Sequence, residues 1–146
     1  MRIYLDSCSL QRPLDDQTRL RIRVETEAVV SILAAAQAGD VMLLNSEALE
    51  YETGRIPDEQ RRTEVAAVLA STNEYLGITD QVEALAISME DHGIASMDAV
   101  HLALASTAKA DLFVTCDDRL LYKAKAVTGL GCRVISVLGA VSEVFR

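Results

Sequence analysis

A chain of 146 residues, 50% hydrophobic and 25% charged, is sized for one domain around one core and leaves little room for a second. A formal charge of −8 argues against indiscriminate binding to polyanions, because such binding rests on Lys and Arg neutralising phosphates. With no Trp, two Phe and four Tyr, the core must be aliphatic, and recognition of single strands by rows of stacked aromatics is disfavoured.

The positive charge is clustered nonetheless. Arg12, Arg19, Arg21 and Arg23 lie in one stretch and Arg55, Arg61 and Arg62 in another, which allows a basic rim. No signal-peptide or transmembrane pattern opens the chain, so a cytoplasmic address without membrane association is expected. Cys8, Cys116 and Cys132 are odd in number and form no CxxC pair, the pattern of reduced intracellular thiols rather than a disulfide framework.

Residues 2–6 (RIYLD) are rich in β-formers and end on an acid; residues 11–17 follow as a polar, Pro-containing loop. Apolar positions from Leu20 to Ala36 fit helical spacing over residues 18–38, and Gly39 supplies a stop. The unbroken apolar run at 41–44 (VMLL) reads as a strand, after which Ser46 is a good N-cap for a short helix closed at Gly54. Asp58 and Thr79 open further helices, the second ended by Gly93, and Ser96 is expected to cap the helix over residues 96–110. Residues 112–115 (LFVT) form a strand, 119–127 a helix, and 133–137 (RVISV) a last strand before a C-terminal helical turn.

Short apolar strands alternating with helices predict βαβ units. The expected fold is therefore a single α/β domain over residues 1–146, three layers deep, with a central mostly parallel sheet covered on both faces. In such open sheets ligands sit outside the carboxyl ends of the strands.

Acids gather on that edge. Asp6 ends the first strand, Asp117 lies two residues past LFVT, Asp98 sits in the first turn of a helix, and Glu47, Glu50 and Glu52 lie just beyond VMLL. Crowded carboxylates repel one another more strongly as the medium dries, so a fold that collects them normally does so for a hard divalent cation with oxygen ligands. A bound water made more acidic by such an ion can attack a phosphodiester. Each acid also has a plainer reading. Asp98 favours a helix dipole, and Asp117 or Asp118 can cap the helix after it, whereas Asp6 at a strand end has no capping duty. Glu52 and Glu50 lie near 160° apart at about 100° per residue, so both cannot face one ion. His101, three positions after Asp98, is either a neighbour of the metal or a hydrogen-bonded core residue. Cys8 and Cys116 flank two of the acids, which leaves a zinc site open beside their use as small core hydrophobes. The arginines near residue 20 either contact phosphate or pair with Asp15, Asp16, Glu25 and Glu27.

Four pieces, YLDSC, SEALEYE (Ser46 to Glu52), SMDAVHLALA and FVTCDDRLL, run in order over nearly the whole chain. With them the sequence resembles the PIN domains, the fold of VapC-like toxins in bacterial toxin–antitoxin pairs. The resemblance implies a metal-dependent endoribonuclease using Mg²⁺ or Mn²⁺, a homodimer, and inhibition by a small antitoxin. It carries the catalytic and metal-binding roles onto Asp6, Glu52, Asp98 and Asp117, with Thr115 as the small polar neighbour beside the metal and Asp118 as a helix cap. The segment 11–23 departs from the pattern in being longer and richer in Arg. The rival reading is a PIN-like scaffold that binds RNA or a partner without cutting, whose mark would be a missing acid. An aspartyl phosphatase of the haloacid-dehalogenase type would need an acid where Cys8 stands, and a phospho-receiver domain an acid that VMLLNS lacks.

Overall fold

The computed structural model describes residues 1–146. Strand β1 (Arg2–Leu5) leads through a short helix α1 (Ser7–Gln11) and a single 3₁₀ turn (Arg12–Leu14) to the long helix α2 (Leu20–Gln37). Then come β2 (Met42–Ser46), α3 (Glu47–Gly54), α4 (Glu59–Ala70), β3 (Glu74–Leu76) and α5 (Asp80–Glu90). The chain closes with α6 (Ser96–Thr107), β4 (Leu112–Thr115), α7 (Asp118–Ala124), β5 (Arg133–Ser136) and α8 (Val137–Val144).

The five strands pair in the order β3-β2-β1-β4-β5, and every pairing is parallel. A sheet covered by helices on both faces explains why VMLL and LFVT are unbroken apolar runs rather than alternating ones. β4 is buried at all four positions, whereas the edge strands β3 and β5 are part-exposed. Tyr4 and Phe113, neighbours in register on β1 and β4, stack at 5.4 Å in the centre of a 32-residue apolar core. Truncating Phe113 to Ala should cost about 3–5 kcal/mol.

Chain direction decides where the site lies. The chain leaves β1 toward β2 and leaves β4 toward β5, so adjacent strands send their connections in opposite directions. At such a switch point a crevice opens beyond the carboxyl ends, between the segments that follow β1 and β4.

The caps behave largely as their chemistry dictates. Ser46 accepts from the Leu49 N–H at 3.0 Å, Asp58 from Arg61 at 2.8 Å and Thr79 from Val82 at 3.2 Å. Gly39 and Gly93 end their helices at φ +83° and +80°, a conformation that other residues adopt only with strain. Two expectations are corrected, and one strand is added. Residues 7–11 form a helix rather than running straight into a loop, and its first N–H groups find a cap in Asp6. Ala95, not Ser96, is the N-cap of α6, and no side chain bonds to that end. The third strand β3 was not legible, because three residues flanked by polar positions carry no periodic signal.

Candidate active site

Asp6 leaves the end of β1 and folds its carboxylate over the start of α1, where Oδ1 accepts from the Ser9 N–H at 3.0 Å and the Cys8 thiol at 3.1 Å. The expectation that this acid has no capping duty is therefore wrong: it caps a helix that the sequence reading did not contain. Asp6 is only 5% exposed. Burial raises its carboxyl above the ordinary range, against hydrogen bonds from Thr115, Cys8 and Ser9 that pull the other way.

Asp117 follows β4 and caps α7, accepting from Arg119 at 2.9 Å and Leu120 at 3.3 Å on Oδ1. Its own N–H donates to Thr115 Oγ1 at 3.0 Å, so fully buried Thr115 fixes the loop beneath the acid. Asp118 is not the cap. It is the first residue of α7 and forms an exposed forked pair with Arg21, both contacts at 2.9 Å, which lowers its carboxyl.

Asp98 stands in the first turn of α6, half-buried. Its carboxyl is raised first by burial and then by the carboxylates of Asp117, Asp6 and, more weakly, Glu52. The glutamate question resolves by geometry. Glu47 accepts from the Ile78 N–H at 3.0 Å and Glu50 from Asn45 Nδ2 at 2.7 Å, while Glu52 lines the same cavity as the three aspartates. That cavity, about 210 Å³, is completed by Ser7, Cys8, Gln11 and His101. Segments after β1, after β2, before β4 and after β4 thus deliver one acid each to one pocket.

His101 is the core residue of the two readings, and also a wall of the pocket. It is 2% exposed; Nδ1 bonds the Tyr4 hydroxyl at 2.6 Å and Nε2 meets Glu52 Oε1. The Tyr4 hydroxyl in turn bonds Ser46 Oγ at 2.7 Å, and Ser46 caps α3, the helix that carries Glu52. A chain of hydrogen bonds from Ser46 through Tyr4 and His101 therefore sets where Glu52 points. The role of Tyr4 and its bond to Ser46 escaped sequence reasoning, since 42 and 97 positions separate Tyr4 from its partners.

Of the two cysteines next to the acids in sequence, Cys8 donates its thiol to Asp6 Oδ1 at 3.1 Å and Cys116 Sγ lies 3.7 Å from Ser9 Oγ. Cys116 is not part of the pocket wall, and the thiols join no group able to ligate a metal, so the zinc reading gains no support. Three of the seven arginines of the expected basic rim are spoken for: Arg12 pairs with Asp15 and Glu25, Arg21 with Glu25 and Asp118, and Arg61 with Asp15.

The donor set fits a hard cation. Four carboxylates facing one small cavity, with no Lys or Arg paired to Asp6, Asp98 or Asp117, offer oxygen ligands and uncompensated negative charge. No three of the His, Cys, Asp and Glu side chains converge closely enough to cage an ion as they stand. An ion bound here would need water to complete its shell, and Mg²⁺ usually keeps several waters.

A family profile described as the PIN domain matches residues 3–126. Among solved structures, VapBC2 from Rickettsia felis, bound to a DNA fragment from its promoter, superposes with a TM-score of 0.57 at 13% identity, covering 93% of this chain and 98% of that one. PAE2754 from Pyrobaculum aerophilum gives 0.54 at 16% identity, covering 99% of this chain and 90% of that one. At these identities the likeness is one of fold. No curated protein matches the sequence. With most of its length matched and the all-parallel sheet in place, the chain belongs to the PIN-domain family, whose members are in general divalent-metal-dependent nucleases.

Proposed function

We propose that this chain is a Mg²⁺- or Mn²⁺-dependent endoribonuclease, working as the toxin of a type II toxin–antitoxin pair. The observation that carries the reading is the meeting of Asp6, Glu52, Asp98 and Asp117 in one cavity, with Asp98 held above its ordinary range partly by its acidic neighbours. Independent capping roles give no reason for four acids from separate segments to share a pocket. The toxin role, an antitoxin partner, a homodimer and a cytoplasmic setting draw on the fold shared with VapBC2 and on family membership.

In this mechanism Asp6, Asp98 and Asp117 would hold one or two ions, and Glu52 would do so directly or through water. When bound, the ion orients the scissile phosphate and makes an attacking water more acidic. The protein's own residues do the rest. His101 and Tyr4 hold Glu52 in one orientation, and Thr115 anchors the Asp117 loop. The Asp6 hydrogen bonds keep its carboxylate available despite burial. Because ligation needs deprotonated carboxylates, the raised Asp98 should make activity fall away in acid earlier than ordinary aspartates would.

Cleavage of mixed RNA with Mn²⁺ supplied or chelated, comparing wild type with Asp98→Asn, tests the proposal. Cutting that needs the ion and vanishes in the variant supports it. The second reading, a PIN-like module that binds RNA or a partner without cutting, draws on the absence of three convergent ligands. RNA binding without cleavage under any divalent ion would establish that reading in its place.

A further inference from the structure

Resting on the nuclease reading, we infer that single-stranded RNA lies across the acidic cavity between two flanking subsites, each an exposed tyrosine beside an arginine free of acids: Tyr51 with Arg55, and Tyr122 with Arg119.

Two hollows adjoin the cavity through different walls. One, about 660 Å³, shares Ser7, Gln11 and Glu52 with it and contains Tyr51 and Arg55. The other, about 150 Å³, shares Asp98 and Asp117 and contains Arg119 and Lys123. It continues into a third, about 470 Å³, formed by Asp118, Arg119, Tyr122 and Lys123. The first hollow has no residue in common with the other two, so the three acids and Glu52 lie between distinct approaches.

The same pattern of residues recurs on both flanks. Helix α3 carries Glu52 and presents Tyr51, with Arg55 four positions on at its C-cap; α7 is capped by Asp117 and presents Arg119, with Tyr122 three positions on. Those spacings put each Tyr and Arg on one helix face. Tyr51 is 57% exposed and Tyr122 77%, and the Arg55 guanidinium lies 5.3 Å from the Tyr51 ring centre. An exposed tyrosine alone is ordinary. Here, however, Arg19, Arg23, Arg55, Arg62 and Arg119 pair with no acid, and of these only Arg55 and Arg119 line the hollows that adjoin the acidic cavity. In a chain of net charge −8, these two arginines, with Lys123, which also pairs with no acid, are placed where a phosphate backbone entering and leaving the acidic pocket needs cations.

The chemistry selects the ligand. A tyrosine face accepts any unpaired base by stacking, with the neighbouring guanidinium on the adjacent phosphate. A duplex keeps its base faces against one another and offers none to either ring. Two subsites with the acids between them place one unstacked base on each side of the bond to be cut. Sequence preference is weak on this account, and preference for single strands strong.

The full chain supplies its own probe, because it contains no Trp. Tyr51→Trp and Tyr122→Trp, made separately with Asp98→Asn to prevent cutting, place a single reporter at each flank. Mixed-sequence single-stranded RNA should quench both, and the same sequence as a duplex neither. With the acids intact, Arg55→Ala and Arg119→Ala should each raise KM about tenfold with kcat little changed, and each should reduce the salt slope of binding by about 0.7, the value for one phosphate on a single strand. Wild type that never cuts RNA overturns the nuclease reading itself. Wild type that cuts, with silent reporters or equal quenching by duplex, overturns only the two subsites. Unchanged KM in both arginine variants assigns these flanks to a protein partner and overturns them as well.

Discussion

At the amino ends of the strands, Arg2 donates two guanidinium nitrogens to Glu74, a third to the carbonyl of Ala108 at 2.7 Å, and its backbone N–H to Asp111 at 2.6 Å. At the carboxyl ends, Asp6, Asp98 and Asp117 have no cationic side chain paired with them, and Glu52 has only His101. Both ends collect acids; one neutralises them and the other does not. The paired end stabilises the fold, because charges leaving water there gain hydrogen-bonded partners. The unpaired end stores repulsion, which a divalent ion can convert into binding energy. Folding alone gives no reason to keep such an edge, so it is the edge to examine for chemistry.

The largest break between the two ends should come from Asp98→Asn. Removing one acid from the pocket should cut RNA cleavage by about 10²–10³-fold, the scale for losing one preorganised electrostatic group, with circular dichroism unchanged. Next is His101→Gln, which replaces a wall of the pocket and the ring that holds Glu52. It should weaken Mn²⁺ affinity by about 10–100-fold, as measured by metal titration. Tyr4→Phe, which loses one hydroxyl of the same hydrogen-bond chain, should do less.

Stability should then divide the two ends by their response to ions and pH. At a concentration of Mn²⁺ about 100 times its Kd, wild type should gain about 2.7 kcal/mol and Asp98→Asn much less, read as the thermal midpoint. Asp6 and Asp98 have folded-state values raised above the ordinary 3.8, by burial first. A carboxyl raised in this way contributes stability that is complete below its unfolded value and is lost as pH rises through the folded one. Without metal, Asp98→Asn should therefore be more stable than wild type at neutral pH, and the difference should shrink toward pH 4 and below. Arg2→Ala strikes the other end. It should cost about 1–2 kcal/mol by leaving Glu74 and the Ala108 carbonyl without their donors, with kcat unchanged. Smallest is Asp118→Ala, which breaks only the exposed pair with Arg21 and should move stability by less than about 0.5 kcal/mol.

How legible the site was depended on what held each residue in place. Asp6, Asp98 and Asp117 could be found because apolar strands such as LFVT mark the sheet edge and the acids sit at fixed short distances from it. Helical geometry excluded a joint role for Glu50 and Glu52, but choosing between them needed Asn45 and Ile78, which occupy Glu50 and Glu47. The helix capped by Asp6 was missed because SCSLQ is five residues long, too short for a period to register. Asp118 was mistaken for a cap because adjacent acids at a helix start look alike in sequence, and which of them folds back depends on Thr115 and Arg21.

Composition and pattern by themselves determined an α/β domain with buried parallel strands, the helix caps at Ser46, Asp58 and Thr79, and the edge where its acids lie. These are local properties, set by burial periodicity and by side chains bonding to nearby backbone. Only the tertiary structure decided that β1 and β4 lie side by side, that Glu52 is the fourth acid of the pocket, and that His101 reaches it through the core from Tyr4. Those contacts join residues tens of positions apart, and their energy exists only once the chain has closed the loops between them.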